Sequence, residues 1–243
     1  MSRLVLIANP AASGFTGGLH RGVVRILRPR YEVEATWPRT AAEASELAAE
    51  AAQRGVEVVA AMGGDGILHD VVQSLAGTTT ALGIIPAGTT NVLARLLGVP
   101  LRPGRAARLL AGEHLVRTEP AIRLILHRDR TADRALAVFA TGLGFDAEVV
   151  AAADAEPYRK YRFGWAHYTR TTLELAWSRF RQRPPHLRVI EAASPSRRDG
   201  RRADAAGVMV QFRRAYTYLG RVPLRLSTAL PDPMRVLVVE SLP

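Results

Sequence analysis

Residues 56–75, VEVVAAMGGDGILHDVVQSL, decide how the chain folds. Residues 56–62 form a nearly continuous apolar run rich in valine, which suits a strand buried on both faces of a parallel sheet. Gly63, Gly64, Asp65 and Gly66 follow at once, and Ile67, Leu68, Val71, Val72 and Leu75 then recur at helical spacing. Strand, glycine turn and helix thus follow one another without a gap. Three glycines in four positions let the backbone take positive φ, expected at Gly64, and come close to a ligand. The amides at the new helix start have no intrahelical acceptor and favour an anion. Asp65 sits in that cradle, where an acid has a use only against a metal, a ribose hydroxyl or a transferred proton.

Working outward, the upstream segments repeat the alternation. Residues 4–8 read as a strand, followed by Asn9, Pro10, Ala11, Ala12, Ser13 and Gly14; Leu19, Val23, Ile26 and Leu27 then mark a helix. Residues 31–37 alternate apolar and polar, as a half-buried strand nearer a sheet edge does. Thr40 and Glu43 make a capping box for an alanine-rich helix that runs to about Arg54 and stops at Gly55. Downstream, residues 81–86 (ALGIIP) read as a further buried strand. Ala87, Gly88, Thr89, Thr90 and Asn91 follow, then a helix through Leu97 that Gly98 and Pro100 end. Such alternation predicts right-handed crossovers and a parallel sheet. Three strand ends then carry small polar loops, residues 9–14, 63–66 and 88–91, all at the carboxyl edge where open α/β sheets bind ligands.

After Pro120 the pattern changes to short strands, at residues 122–126, 135–141, 187–191, 207–212, 222–227 and 236–240, around one long helix at about 165–181. The domain boundary is expected near residues 117–120, giving an α/β domain over 1–119 and a β-rich domain over 120–243. Residues 192–205 are expected as a solvated hairpin or loop. Asp146 is expected to cap a helix through Glu148 and Val150.

Composition bounds the function. The chain has no cysteine, which removes disulfides and thiolate metal sites. Its six histidines show no HExxH or paired ligand spacing, so zinc is not expected. No stretch reaches the roughly 20 apolar residues of a membrane span, and the run at 4–8 is too short for a signal-peptide core. A cytoplasmic protein is expected. Net charge is +11, carried almost wholly by arginine since Lys160 is the only lysine, and it favours anionic partners. No recognition motif or aromatic-basic stacking run marks a specific nucleic-acid binder.

The loops are not a Walker turn, for no glycine precedes Lys-Ser or Lys-Thr, and they lack GxGxxG spacing. What they resemble is the diacylglycerol and sphingosine kinase catalytic family of ATP-dependent lipid kinases. The resemblance rests on Asn9-Pro10…Ser13-Gly14, Gly63-Gly64-Asp65-Gly66 (shared with NAD kinases) and Leu82-Gly83-Ile84-Ile85-Pro86…Gly88-Thr89…Asn91…Ala94-Arg95. Gly142-Leu143-Gly144-Phe145-Asp146-Ala147 and Tyr216-Thr217-Tyr218-Leu219-Gly220 continue it in the family's order.

This resemblance implies an NAD kinase/diacylglycerol kinase-like α/β domain with a parallel sheet, joined to a β-rich, sandwich-like second domain that serves the substrate. It implies transfer of the γ-phosphoryl group of ATP to a diacylglycerol or sphingoid hydroxyl at an anionic membrane surface, the inner face for a cytoplasmic protein. ATP would lie across Asn9, Ser13, Thr36, Gly63, Gly64, Asp65, Gly66, Gly88, Thr89 and Asn91, with Asp65 as the acid in the catalytic cradle. The lipid hydroxyl would enter between the domains. Mg2+ would bridge the phosphates, and Asp232, in the late metal loop, would be its protein ligand.

Several positions depart from the family. Ile67 stands where a hydroxyl usually follows the glycine turn, Asp70 is a shortened glutamate, Val92 replaces an aspartate, and Pro233 replaces the glycine of the metal loop. No Asp-Gly-Glu segment, the family's proton acceptor, precedes Pro243, so the second domain is expected to be incomplete and activity reduced. The alternative expectation is a catalytically weak nucleotide-binding pseudokinase acting as a peripheral membrane or regulatory module.

Overall fold

The computed structural model describes residues 1–113, 116–128, 131–154, 174, 185–190, 202–226 and 234–240. Their contacts divide the chain into two units, Met1–Val138 and Phe139–Pro243.

The first unit runs β1 (Ser2–Ala8), α1 (Gly17–Leu27), β2 (Tyr31–Thr36), α2 (Ala41–Gln53), β3 (Val58–Gly63), α3 (Asp65–Leu75), β4 (Ala81–Pro86), α4 (Val92–Leu96) and α5 (Pro103–Ala111). The four strands form one parallel sheet in the order β2-β1-β3-β4. All six residues of β3 are buried, because a central strand is covered on both faces, and the unbroken apolar run needs no alternation. On one face Leu4, Leu6 and Ala8 pack with Val58, Ala60, Met62 and Ile85 against Val23 and Leu27 of α1 and Ala106 and Ala107 of α5. The alternate residues Val5, Ile7, Val59 and Ala61 project to the opposite face and are equally buried. The helices pair in the same way, α1 with α5 and α2 with α3. Leu6 is wholly buried at this centre, and Leu6→Ala would cost about 3 kcal/mol through lost burial and a residual cavity.

Local signals act as the sequence suggests, with one shift. Thr40 caps α2 by accepting the Glu43 amide at 3.1 Å, but the Glu43 carboxylate returns to the amide of Arg39, at 2.6 Å, one residue before the cap. Gly55 ends the helix at φ +66°. The edge position of β2 leaves its outward residues partly exposed. The α5 helix has no counterpart in the pattern reading; Pro103 opens it, and Ala106 and Ala107 supply a narrow buried stripe.

An antiparallel hairpin, β5 (Ile122–Arg128) and β6 (Thr131–Ala137), completes the first unit. Gln73 of α3 ties it down, its Nε2 donating to the Leu136 carbonyl at 3.0 Å and its Oε1 accepting the Leu136 amide at 2.8 Å. The compact unit therefore extends past the composition change at 117–120 to Val138.

The second unit holds β7 (Ala140–Gly144), α6 (Phe145–Asp154), β8 (Leu187–Ile190), β9 (Arg202–Ala205), β10 (Gly207–Gln211), β11 (Thr217–Leu219), β12 (Val222–Leu224) and β13 (Arg235–Val239). The β10 strand pairs antiparallel with β13 on one side and β7 on the other, while β8–β9 and β11–β12 are two-stranded ladders. This β-rich character is as expected from the sequence. One expectation is corrected. The single strand over 135–141 is two strands, β6 and β7, that separate at Val138 and Phe139 and belong to different units. Residues 202–205, at the end of the stretch expected as a hairpin or loop, form β9, which pairs antiparallel with β8. The helix expected at about 165–181 lies outside the described residues except for Glu174, and Asp232 and Pro233 lie outside them also.

Candidate active site

The sheet places the ends of β1 and β3 side by side, and their connections leave toward opposite edges because β2 lies beyond β1 and β4 beyond β3. This is the switch point of an open α/β sheet, where a crevice forms outside the carboxyl ends of the strands. The three small-residue loops meet there through their own backbones. The Asn9 amide donates to the Met62 carbonyl at 2.9 Å, the Ala87 amide to Gly63 at 2.8 Å, and the Gly14 amide to Ala87 at 2.8 Å.

Such close stitching requires glycine for space. A Cβ on Gly88 would overlap the Gly64 Cα and stand 3.0 Å from both the Gly64 nitrogen and the Asn91 Oδ1. A Cβ on Gly14 would meet the Ala87 oxygen at 2.9 Å, and one on Gly63 would meet Ile67 Cγ2 at 2.7 Å. The expectation of positive φ at Gly64 is corrected: its φ is −94° and ψ −169°, ordinary extended backbone. A Cβ there would lie 3.4 Å from the Gly88 Cα. That is ordinary contact, so the close approach of the two loops is enforced at Gly88 rather than at Gly64, and Gly66 has open space around it.

Asp65 is the first residue of α3, and its carboxylate turns away from solvent. Oδ2 accepts the Val92 amide at 2.9 Å and Oδ1 the Leu93 amide at 3.0 Å, so one side chain satisfies two orphan donors at the start of α4. Burial raises its pKa above the ordinary carboxylate value, while the Leu93 and Val92 amides favour the charged form and oppose that rise. The cradle acid is therefore committed to joining α3 and α4.

Asn91 is likewise structural. It holds φ +51°, the one positive-φ residue other than glycine among those described, and is 6% exposed. Its Oδ1 accepts the Gly88 amide at 3.0 Å and its Nδ2 donates to the Gly88 carbonyl at 2.7 Å, closing the loop on itself. Asn9 Oδ1 accepts the Ala11 amide at 2.9 Å and shapes the first loop. Ser13 and Thr89 reach across from different loops, their hydroxyls 3.0 Å apart and accessible. Thr36 ends β2, two strands from β3.

Three loops, two facing hydroxyls and the first-turn amides of α3 after Asp65 suit a polyphosphate chain. They do not by themselves suit a metal. Among the described residues no three His, Asp or Glu side chains gather as a metal site, and Asp65 is engaged with amides.

Comparison with known proteins covers this same region. Residues 3–121 match the diacylglycerol kinase catalytic domain. By that match residues 3–121 belong to the diacylglycerol kinase catalytic domain family. A diacylglycerol kinase of Mycobacterium tuberculosis is 39% identical over 88 residues, which are 36% of this chain and 28% of that protein. One from Bacillus subtilis is 36% identical over 104 residues, 41% of this chain and 34% of that protein. The matched stretch thus spans about a third or less of these relatives. A crystal structure of a diacylglycerol kinase from Bacillus anthracis superposes with a TM-score of 0.65 at 22% identity, over 99% of this chain and 74% of that one, which establishes a shared fold.

The second unit has its own strand–glycine–helix turn. Gly144 ends β7 at φ +68°, and Asp146 follows in the first turn of α6. Its carboxylate is not a helix cap, as the sequence suggested, but accepts the Tyr216 hydroxyl. A Cβ on Gly142 would overlap that carboxylate. Burial raises the Asp146 pKa, with the Tyr216 bond opposing, and burial together with the Asp146 charge pushes the Tyr216 phenol upward. Both residues lie in quoted motifs, but nothing in the spacing of 142–147 and 216–220 pairs them.

Proposed function

We propose that this chain is an ATP-dependent lipid kinase, transferring the γ-phosphoryl group to a hydroxyl of a diacylglycerol or sphingoid lipid. The observation that carries this reading is the convergence of residues 9–14, 63–65 and 87–91 on one sheet edge, within the segment that matches a lipid kinase catalytic domain.

In this reading residues 1–119 hold the nucleotide, and residues 120–243, which include the β5–β6 hairpin of the first unit, serve the lipid. The first-turn amides of α3 and the Ser13 and Thr89 hydroxyls hold phosphate oxygens. Asn9 and Asn91 keep their loops in shape, Thr36 lies toward the nucleoside, and Gly88 keeps the floor low enough for close approach. Asp65 acts as a positioning residue, fixing the start of α4 against the cradle. Mg2+, when bound with ATP, would offset phosphate charge as it moves to the leaving group; Asp232 is its proposed protein ligand. The lipid oxygen forms a bond to γ-phosphorus as the bond to the β-phosphate bridging oxygen breaks. ADP departs, and the hydroxyl proton passes to a carboxylate base. Excess arginine would hold the protein at an anionic lipid surface, about 1 kcal/mol per basic residue near it.

Transfer from γ-labelled ATP to diacylglycerol or sphingoid in phosphatidylserine vesicles tests this. Labelled phospholipid is the expected product, with vesicle binding that weakens as salt rises. ATP binding without transfer to any lipid hydroxyl would instead leave a nucleotide-binding regulatory module.

A further inference from the structure

Phe15 closes the first loop, His20 stands in the second turn of α1, and Trp37 follows the last residue of β2. Three rings from three segments therefore meet at the carboxyl edge of the sheet, beside Asn9, Ser13 and Thr36. The His20 ring lies 5.1 Å from the Trp37 ring at 49° and 6.0 Å from the Phe15 ring at 43°, within the range of favourable aromatic pairs.

Packing alone leaves two things unexplained. His20 is only 8% exposed, yet its Nε2 has no hydrogen-bond partner among the described residues. A buried polar atom without a partner carries a desolvation penalty that native proteins rarely leave in place. Trp37, conversely, is 50% exposed, a large apolar ring with much of its surface in water at the carboxyl edge of the sheet. Burial, and then Arg21, lower the His20 pKa, so the imidazole is a neutral ring suited to stacking.

We propose that Phe15, His20 and Trp37 form an aromatic shelf that receives the nucleobase of the nucleotide bound at the glycine loops. This rests on the nucleotide reading above and adds to it the residues that recognise the base. Strand order supplies the distance. Trp37 follows β2 and the glycine turn follows β3, with β1 between them, so the two are separated by about 10 Å at the usual strand spacing. That is the order of reach of an extended nucleoside triphosphate from base to phosphates, with the ribose crossing the Asn9 and Ser13 loop after β1. A base laid on the open face of Trp37 extends the ring series that His20 and Phe15 begin on its other side.

The experiment follows tryptophan emission and calorimetry of the full chain with MgATP and with inorganic tripolyphosphate. MgATP should quench emission in the wild type, and Trp37→Phe should abolish the quench while keeping most of the affinity. Trp37→Ala should weaken ATP binding by about tenfold or more, since base–aromatic stacking contributes on that order, with tripolyphosphate affinity unchanged. Equal ATP affinity in wild type and Trp37→Ala, with no quench in the wild type, overturns the shelf but leaves the nucleotide site standing. Absence of any MgATP binding by the wild type overturns the nucleotide reading and the shelf with it.

Discussion

Two turns in this molecule share one local grammar and use it differently. After β3 and after β7, a glycine-rich strand end passes directly into a helix with an aspartate in its first turn. In the first unit the aspartate accepts two backbone amides, and two glycine contacts are backbone against backbone, Gly88 on Gly64 and Gly14 on Ala87, while Gly63 lies against the Ile67 side chain. In the second the aspartate accepts one phenolic hydroxyl, and the glycine makes room for a side chain, Gly142 beneath Asp146. Backbone partners cannot rotate away, so the first turn is rigid and its remaining amides stay presented at the sheet edge. A side-chain partner can move, so the second turn can relax at Gly142, while Gly144 is held against the Ala206 carbonyl.

That contrast is most sharply tested at Gly88. Gly88→Ala sets a methyl against the Gly64 backbone and should destabilise the chain by about 3 kcal/mol, with loss of MgATP binding; denaturant melts and calorimetry measure both. Near-native stability would mean the loops are not as tightly joined as their hydrogen bonds indicate. Asp65→Ala comes next. It strands the Val92 and Leu93 amides at the start of α4, a cost of about 2 kcal/mol, and urea melts should show it. A variant that loses phosphoryl transfer without losing stability would restore Asp65 to a direct catalytic role.

Gly142→Ala should cost about 1 kcal/mol, because the Asp146 carboxylate must shift. In an Asp146→Ala background that cost should nearly vanish, a coupling that a double-mutant cycle reads directly. No side-chain truncation should rescue Gly88→Ala, whose nearest neighbour is backbone. The smallest effect concerns pH. The folded-state pKa of Asp146 is raised above its ordinary value, so the folded chain holds that proton more firmly than the unfolded one. The contribution is fully present below the unfolded pKa and is lost as pH rises through the folded pKa. Asp146→Asn should remove that part of the slope in unfolding free energy from mild acid toward neutrality. An unchanged slope would show that Asp146 does not titrate as a buried group.

How much was legible follows from how far each interaction reaches along the chain. The buried run into β3, the period of α3, the Thr40 cap and the Gly55 stop are encoded within a few residues, and the sequence by itself determined them. It also determined that three small-residue loops share one sheet edge, since parallel strands joined by helices put every βα turn on the same side. Only tertiary structure decided what each turn contacts. Asp65 meets amides 27 and 28 residues away, Asp146 meets a phenol 70 residues away, and Gly14 meets Ala87. Each of these pairs depends on which strands are neighbours, and strand order leaves no periodic mark on the sequence. For the same reason Gly64 suggested a left-handed turn: three glycines in four can mean positive φ or close approach, and only the fold shows extended backbone at Gly64 with the tight contact placed on Gly88. His20 and Trp37 each resemble an ordinary packed aromatic in the sequence. They become a candidate shelf because β2 flanks β1, which brings the ring after one strand to the helix after the other.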